Sequence, residues 1–450
     1  MTGQLALTGA RIVTMDAERR IVDADVVVRD GRIVEIRTRA RRDGERWGGT
    51  GKGRGVVDCS GLILLPGLVQ AHIHLCQTLF RGLADDLPLE AWLARRIWPL
   101  EAAHTEESVY WSALLGAAEL LLGGTTAILD METVRHAGAA FEALETIGLR
   151  ATAGKCLMDA ASAPEGLREP TDRALQEASD LCTRWHGAGE GRLRYCFAPR
   201  FAPSCTGPLL RAVSDLAAKH DAVVHTHAAE TPVELEIVKR ETGHDEFAYL
   251  DSVGIAGPRA ALAHCVWADQ EAIHRLARQH TNVVHCPSSN LKLGSGTAPI
   301  PEMLAAGCHV AIGADGAACN NRLDAFEEMR LAALIQKPRL GPDALPAAQV
   351  LELATLGGAR ALGLAEHIGS IEVGKRADLV VLDLSGPHGQ PEDADLVSRI
   401  VYAARAADVR HVVVDGRVVV RDGRLRTAHV DEIRREANRE ASRLRKVVGL

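Results

Sequence analysis

Alternating hydrophobic and polar positions mark both ends of the chain as β-structure. Near the N-terminus the alternation runs on both sides of Asp30-Gly31, a dipeptide typical of tight hairpin turns. The same alternation returns in residues 376–383 and 411–425, after a long middle part with a different rhythm. We therefore predict that the two chain ends pair into one small β-sandwich beside a larger domain.

The middle part alternates short apolar runs with helical patterns. Eight apolar runs, the first ending at His74 and the last at Gly316, are separated by segments whose apolar positions recur near i, i+3 and i+4. The seventh run is interpreted as a strand over residues 282–290. Because no hairpin interrupts the series, we predict an α/β fold, a (β/α)8 barrel with parallel strands. The predicted units are a β-sandwich of residues 1–65 and 366–430, a barrel of residues 66–365, and a charged, solvated helix of residues 431–450.

Composition and charge narrow the classes of function. Hydrophobic residues make up 47% and charged residues 25% of the chain, which is ordinary for a soluble globular protein. A net charge of −7 without a long basic run argues against binding to nucleic acid. The ten cysteines are scattered, the N-terminus lacks a secretory pattern, and no apolar run is long enough to span a membrane. We expect a cytoplasmic protein with reduced thiols and no membrane association.

Residues 41–55 are rich in glycine and arginine. Gly51-Lys52 resembles part of a phosphate-binding loop, but Arg46 stands where the first glycine of that motif belongs and Gly53 stands where a serine or threonine belongs. We therefore predict a surface loop here.

Side chains with metal-binding chemistry lie where the predicted barrel strands end. His72 and His74 are two residues apart, so both project from one face of the first strand. His227 ends the fifth strand, His264 the sixth and Asp315 the eighth. The carboxyl ends of barrel strands meet at one face, and imidazoles with a carboxylate suit Zn²⁺ or Fe²⁺. The sequence therefore predicts a metal site there.

Other polar residues at the same face are candidates for catalysis or binding. His225 shares a strand face with His227 and competes with it as a ligand. Asp315 could accept the proton of an activated water. Glu230, just past the fifth strand, could pass a proton to a substrate or could cap the next helix. Arg200 ends the fourth strand and could bind a carbonyl or carboxylate, or could form a structural ion pair.

Several motifs closely resemble the amidohydrolase superfamily, in particular its branch of purine, pterin and triazine aminohydrolases. The resemblance covers nearly the whole chain. The motifs are Pro66-Gly-Leu-Val-Gln-Ala-His-Ile-His74, His227-Ala-Ala-Glu230-Thr, Ala263-His-Cys265, His285-Cys-Pro-Ser-Ser-Asn-Leu-Lys-Leu-Gly-Ser-Gly, Gly313-Ala-Asp-Gly316 and Ile371-Glu-Val-Gly-Lys-Arg-Ala-Asp-Leu-Val-Val-Leu.

The resemblance implies one divalent metal ion per chain, for which we expect Zn²⁺ with Fe²⁺ as the alternative. Binuclear relatives carry a carboxylated lysine at the end of the fourth strand, where this chain has Arg200. By the same resemblance His264 binds the hydrolytic water and Glu230 protonates a ring nitrogen. The implied metal ligands are His72, His74, His227 and Asp315.

The resemblance further implies hydrolytic deamination of an amino-substituted N-heterocycle, with release of ammonia, in purine metabolism. Residues 78–92 and 315–322 resemble methylthioadenosine/S-adenosylhomocysteine deaminases, whereas Pro199-Arg200-Phe201 resembles guanine deaminases. The candidate substrate-binding residues are therefore Trp92, Arg200 and Asn320. A chlorohydrolase acting on triazines and a pterin aminohydrolase are the alternatives within the family, and a non-catalytic metal-binding barrel is the alternative outside it. We expect a homo-oligomer whose partner is a small heterocyclic substrate.

Overall fold

The computed structural model describes residues 4–38 and 55–450. Residues 41–54, nearly all of the predicted surface loop, lie outside the described part of the chain. The described residues form two sheets with helices packed around one of them.

Eight parallel strands form the central sheet. They are β1 (Leu68–His74), β2 (Thr125–Met131), β3 (Arg150–Gly154), β4 (Leu193–Pro199), β5 (Val223–Ala228), β6 (Ala260–His264), β7 (Asn282–His285) and β8 (His309–Ile312). Each strand pairs with the next, and Cys156–Leu157 adds a short pairing to β4. Just after β8, Asp315–Gly316 pairs with β1, with Asp315 opposite Ile73, and closes the sheet. The predicted (β/α)8 barrel is confirmed.

Closure of the barrel depends on a glycine between β8 and Asp315. A Cβ atom on Gly313 would lie 2.7 Å from the backbone nitrogen of His72, closer than real contacts allow. Only a residue without a side chain lets the two backbones approach here. The same approach brings Asp315 beside the histidines of β1.

Helices fill the connections between strands. The N-terminus of helix Glu106–Leu122 is capped by Thr105, whose hydroxyl accepts from the backbone of Ser108, and the helix ends at Gly123. The remaining helices of eight or more residues are Ala137–Ile147, Thr171–Trp185, Gly207–His220, Pro232–Thr242, Gln270–Gln279, Ala325–Ile335 and Val430–Val448. Shorter helical segments are Leu75–Phe80, Ala188–Gly191, Ala202–Ser204, Glu246–Ser252, Pro287–Lys292, Ile300–Ala305, Lys337–Leu340, Ala347–Glu352, Leu353–Gly357, Gly358–Ala361, Pro387–Gly389, Leu396–Tyr402 and Ala406–Asp408.

One irregular helix follows β1 and covers the carboxyl ends of the strands. This cap helix, residues 89–102, runs through Leu89–Trp92, the π-helical turn Leu93–Ile97 and Trp98–Ala102. Pro99 has no N–H group that could donate to a carbonyl of the preceding turn, and the π-helical turn at that point accommodates the missing hydrogen bond. The cap helix therefore bends over the barrel while presenting Trp92 and Trp98 to the space below it.

The second sheet combines both chain ends, as predicted. Its strands are Leu5–Val13, Ile21–Arg29, Arg32–Thr38, Val56–Asp58, Ile63–Pro66, Leu379–Leu382, Val409–Val414, Arg417–Arg421 and Arg424–Leu425. The two ends meet where Leu379–Leu382 pairs antiparallel with Ile63–Pro66, so one continuous sheet carries the whole unit. Its inner face buries a separate apolar core that includes Leu7, Ile12 and Val26. The domain limits given above stay a prediction.

The strand predicted over residues 282–290 is wrong in its second half. β7 ends at His285, and Pro287–Lys292 is helical. Pro287 favours the first turn of a helix, where its missing N–H is not needed. The correction matters because it places Asn290 on that short helix, within reach of β6.

The C-terminal helix Val430–Val448 is not solvated on all sides. Ala437 and Leu444 are buried in one cluster with Phe80, Trp92 and Leu100, so this helix supports the cap helix from outside. Among the described residues, no helix is both long and apolar enough to cross a membrane. All ten cysteines fall within the described ranges, and they are buried and unpaired.

Candidate metal centre and active site

Four predicted ligands converge at the carboxyl ends of β1, β5 and β8. Nε2 of His72 lies 3.3 Å and Nε2 of His74 lies 3.4 Å from Oδ1 of Asp315. Nε2 of His74 lies 3.1 Å from Nε2 of His227. Two ligands about 2.1 Å from one zinc ion lie about 3.4 Å apart in a tetrahedral site. The measured separations therefore suit one shared ion.

Backbone carbonyls fix the tautomers of His74 and His227. Nδ1 of His74 donates to the carbonyl of Met131 at 2.7 Å, and Nδ1 of His227 donates to the carbonyl of Arg200 at 2.5 Å. Burial lowers the pKa of His74 to about 4 and lowers the pKa of His227 well below its usual range, so both rings are neutral. Two nitrogen lone pairs then face each other, an arrangement that a bound cation between them stabilises.

His225 orients His72 instead of joining the metal group. Nδ1 of His225 lies 3.1 Å from the carbonyl of Ala261, which can only accept, so Nε2 of His225 is left to accept from Nδ1 of His72 at 2.7 Å. Nε2 of His72 is then unprotonated, and it is buried without a partner in the described part of the chain. The geometry thus favours His227 over His225 as a ligand.

Asp315 has a strained backbone and a charged side chain. Its φ is +63°, and the hydroxyl of Ser289 donates to Oδ2 at 2.6 Å. Burial raises the pKa of Asp315, but the imidazoles of His72, His74 and His264 more than offset this and hold the pKa well below its usual range. Asp315 is therefore a carboxylate, which is suited to bind a cation.

His264 and Glu230 face each other across the same space. Nδ1 of His264 donates to Oδ1 of Asn290 at 2.9 Å, and its Nε2 lies 3.5 Å from Oε2 of Glu230. Burial lowers the pKa of His264, but Glu230 and Asp315 outweigh burial, and the net shift is upward. His264 is thus disposed to carry a proton on Nε2.

Glu230 is an acid poised near neutrality. Burial raises its pKa to about 7, with opposition from His264. The hydroxyl of Ser295 donates to Oε1 of Glu230 at 3.1 Å, and the indole N–H of Trp267 donates to the carbonyl of Ser295 at 2.9 Å. With Oε1 occupied by a donor, the proton of the carboxyl group belongs on Oε2, beside His264.

A cavity of about 340 Å³ opens onto these groups. Its wall includes Trp92 and Trp98 of the cap helix and Phe201, and its floor includes Glu230 and Asp315. A concave apolar pocket with a few polar groups at its base is typical of small-molecule sites. The structure thus brings Trp92 to the cavity, as predicted for a substrate contact.

Arg200 also lines the cavity, but two of its nitrogens are engaged. Nη1 lies 2.7 Å from Oε2 of Glu101, and Nη2 lies 3.2 Å from Oε1 of Glu101. The side chains of both residues are buried. The ion-pair alternative considered for Arg200 is thus present. A contact between Arg200 and substrate stays a prediction.

Asn320 does not lie where a substrate contact requires. Its amide nitrogen donates to the carbonyl of Ala314 at 2.7 Å and to Oε1 of Glu328 at 2.8 Å, and it is not among the residues that line the cavity. The loop after β8 turns its side chain away from the cavity, so the assignment of Asn320 to substrate binding is unsupported.

Sequence reasoning missed Gln77 and Glu101. Gln77 lines the cavity three residues past His74, and its Nε2 donates to Oε1 of Glu101 at 3.0 Å. Its Oε1 is buried without a donor within the described residues. The position of Gln77 immediately after the His-x-His strand was a usable signal, whereas Glu101 meets Arg200 across 99 positions of sequence.

Comparisons with known proteins agree with this geometry. A model of the amidohydrolase family matches residues 63–419. The 5-methylthioadenosine/S-adenosylhomocysteine deaminase of Desulforudis audaxviator is 42% identical over 93% of this chain and 94% of its own. The crystal structure of an adenosine deaminase from Xanthomonas campestris with bound zinc superimposes with a TM-score of 0.89, at 34% identity and 98% coverage of both chains. The guanine deaminase of E. coli superimposes with a TM-score of 0.82, at 26% identity over 94% of this chain and all of its own.

Proposed function

The chain belongs to the amidohydrolase family, and on that premise we propose that it is a metal-dependent hydrolase that removes the amino group of an aminopurine as ammonia. One observation carries the proposal. A protonatable Glu230, a proton-bearing His264 and a charged Asp315 line the cavity together with His74 and His227, and Nε2 of His72 lies 3.3 Å from Asp315. A structural metal site would be closed and would need no such acid.

One divalent ion, Zn²⁺ first, fits the residues present. His72, His74, His227 and Asp315 would hold it, and the buried Nε2 of His72, which has no hydrogen-bond donor among the described residues, is suited to bind a cation. A metal ion there lowers the pKa of water toward neutrality and so supplies a nucleophile. Arg200 directly follows the fourth strand and cannot bridge a second ion, so one ion per chain is proposed.

The protein residues then divide the proton transfers. Glu230 gives its Oε2 proton to a ring nitrogen, which makes the amino-bearing ring carbon electrophilic. Asp315 accepts a proton from the attacking water, and His264 donates from Nε2 to the oxygen that becomes negative. A C–O bond forms, the C–N bond to the amino group breaks, and the proton on Asp315 leaves with that nitrogen as ammonia. The remaining proton of the attacking oxygen is released as the C=O bond forms and restores the acid form of Glu230. The product is the oxo form of the heterocycle.

Two substrate classes are supported by different observations. The relative from Desulforudis audaxviator is named for adenine nucleosides, which supports methylthioadenosine and related compounds as the first candidate substrates. A guanine-like base is the second candidate, because Gln77 offers an unpaired acceptor beside the donor Arg200. That pair matches the adjacent C=O and N–H of an oxo-purine, which an adenine ring lacks.

Measurement of ammonia release from a panel of substrates tests the proposal. The panel contains methylthioadenosine, S-adenosylhomocysteine, adenosine, guanine, a pterin and a chlorotriazine. We expect ammonia and the oxo product from at least one purine, and no ammonia from the matched Glu230→Gln variant. Chloride from the triazine without ammonia from any purine would contradict the proposal and support the chlorohydrolase alternative.

A further inference from the structure

Two buried carboxyl groups bind consecutive peptide N–H groups of the loop that carries Glu230. The N–H of Ala229 donates to Oε2 of Glu246 at 2.9 Å, and the N–H of Glu230 donates to Oε2 of Glu234 at 2.8 Å. Glu234 is 5% exposed and Glu246 is fully buried. Ala229 has a φ of +51°, a backbone conformation that needs outside support.

The remaining oxygens of the two carboxyl groups have no protein donor. Oε1 of Glu234 and Oε1 of Glu246 are both buried without a hydrogen-bond donor in the described chain. Burial raises the pKa of both groups, and the neighbouring carboxyl group of Glu234 raises the pKa of Glu246 further. The Oε2 atoms of the two groups accept from consecutive N–H groups of one loop, so the two buried carboxyl groups are neighbours. They cannot both stay charged, and one proton between them satisfies both free oxygens.

The surroundings place this proton on Glu246. His264 lowers the pKa of Glu234, whereas Asp245 raises the pKa of Glu246. Glu230 and Cys265 are also titratable groups beside the pair. Glu234 therefore carries the charge and Glu246 the proton, and neither group touches the predicted metal ligands.

We propose that Glu234 and Glu246 form a proton-sharing clamp that positions the catalytic acid Glu230, and that neither residue reacts with substrate itself. The clamp rests on the proposed function, because Glu230 is the group it serves. Each member holds one peptide of the 229–230 loop, and the shared proton joins the two members. Loss of either member frees the backbone from which the Glu230 side chain reaches His264 and Ser295.

A shared proton makes a distinctive prediction for amide substitutions. In Glu246→Gln, the amide oxygen can accept from Ala229 and the NH₂ group can donate to Glu234. In Glu234→Gln the roles are exchanged and the clamp again closes. In the double variant the two amide oxygens accept from the backbone N–H groups of residues 229 and 230, so the two NH₂ groups face each other and neither has an acceptor. Rotating either amide by 180° does not help, because its NH₂ group then faces a backbone N–H.

The experiment compares these variants in the metal-loaded full chain. We expect each single Gln variant to keep kcat within about threefold of wild type, and Glu246→Ala and the double Gln variant to lose kcat by about tenfold or more with KM within about threefold. Metal content should stay the same in all. Glu236, exposed on the same helix, supplies the matched control variants Glu236→Gln and Glu236→Ala, for which we expect wild-type values.

Amide hydrogen exchange provides a readout that does not depend on activity. The amides of Ala229 and Glu230 should be protected in wild type and in both single Gln variants, and exposed to exchange in the double Gln variant. A double variant with wild-type kcat and protected amides would overturn the clamp, and so would loss of kcat in both single variants. Should wild type release no ammonia from any aminopurine, the proposed function fails, while the exchange pattern still decides whether the clamp exists.

Discussion

Hydrogen-bond partners decide the protonation state of each side chain at the cavity floor. The carbonyls of Met131 and Arg200 place protons on Nδ1 of His74 and His227, and Asn290 does the same for His264. Nε2 of these rings is thereby directed toward the cavity in a known tautomer. Such partners commonly matter to metal affinity nearly as much as the ligands they orient.

Replacement of Glu230 by glutamine should abolish turnover. The amide keeps the size of the side chain and the contact with Ser295 but has no proton to give to a ring nitrogen. We expect kcat to fall by about 10²- to 10⁴-fold, with substrate binding changed far less. Steady-state kinetics together with a binding titration provide the test. Near-normal turnover would mean that another group is the acid.

Much of the site was predictable because its ligands lie at strand ends. His72, His74 and Asp315 follow apolar runs whose geometry fixes where they point. Asn290 was misread because Pro287 starts a helix that resembles the continuation of β7. The assignment of Asn320 to substrate binding gained no support, because strand spacing does not determine the direction of a side chain in a loop.

The ion pair of Arg200 affects which purine the cavity accepts. If its remaining N–H groups bind a substrate carbonyl, Arg200→Ala leaves that acceptor unpaired at a cost of about 1–3 kcal/mol, roughly ten- to a hundredfold in specificity for oxo-purines. The ratio of activities on guanine-like and adenosine-like compounds measures this effect. Because Glu101 would also lose its partner, Glu101→Gln is the control for the ion pair alone. An unchanged ratio in folded, metal-loaded protein would assign Arg200 a structural role.

At the scale of elements, the cap helix depends on the C-terminal helix. Leu444 is 1% exposed and packs in the same cluster as Trp92, so the wall of the cavity continues outward into the C-terminal helix. The pairing explains why a helix with many charged residues keeps a narrow apolar stripe.

Truncation of Leu444 should therefore weaken the cavity wall from a distance. Leu444→Ala leaves a cavity in this cluster and should cost about 2–5 kcal/mol of unfolding free energy. We expect KM to rise with kcat little changed, because Trp92 loses support while the acids do not. Val447, 61% exposed on the same helix, gives the control Val447→Ala. Equal effects from both variants on denaturant unfolding and KM would refute this account.

At the scale of the whole molecule, a buried charge network joins the barrel to the second sheet. Arg150 of β3 donates to Asp378 at 2.6 Å and 3.0 Å and to Asp415 at 3.2 Å. Both carboxylates belong to the part contributed by the C-terminal half of the chain. The barrel is therefore tied to the second sheet at the end opposite its metal-binding face. A cytoplasmic location and a homo-oligomeric state stay predictions.

Removal of Arg150 should loosen this junction. Arg150→Ala removes the ion-pair partner of the buried Asp378, whereas Asp415 keeps Arg376 at 3.0 Å, and we expect a loss of about 3–5 kcal/mol of unfolding free energy. The exposed pair of Arg410 and Asp422, 3.7 Å apart, provides the comparison, because Arg410→Ala should cost at most about 1 kcal/mol. Urea unfolding of both variants measures the difference, and similar midpoints would show that the junction is held by apolar packing instead.

A metal titration tests the central claim most directly. Purified chain is stripped of metal with a chelator, and Zn²⁺ is added in steps while ammonia release from the best purine of the panel is measured. We predict no turnover without metal and a linear rise that levels off at about one equivalent per chain, since the proposed ligands His72, His74, His227 and Asp315 are spaced to share one ion. Ammonia release by the metal-free protein, or a requirement for two equivalents, would contradict a one-metal deaminase.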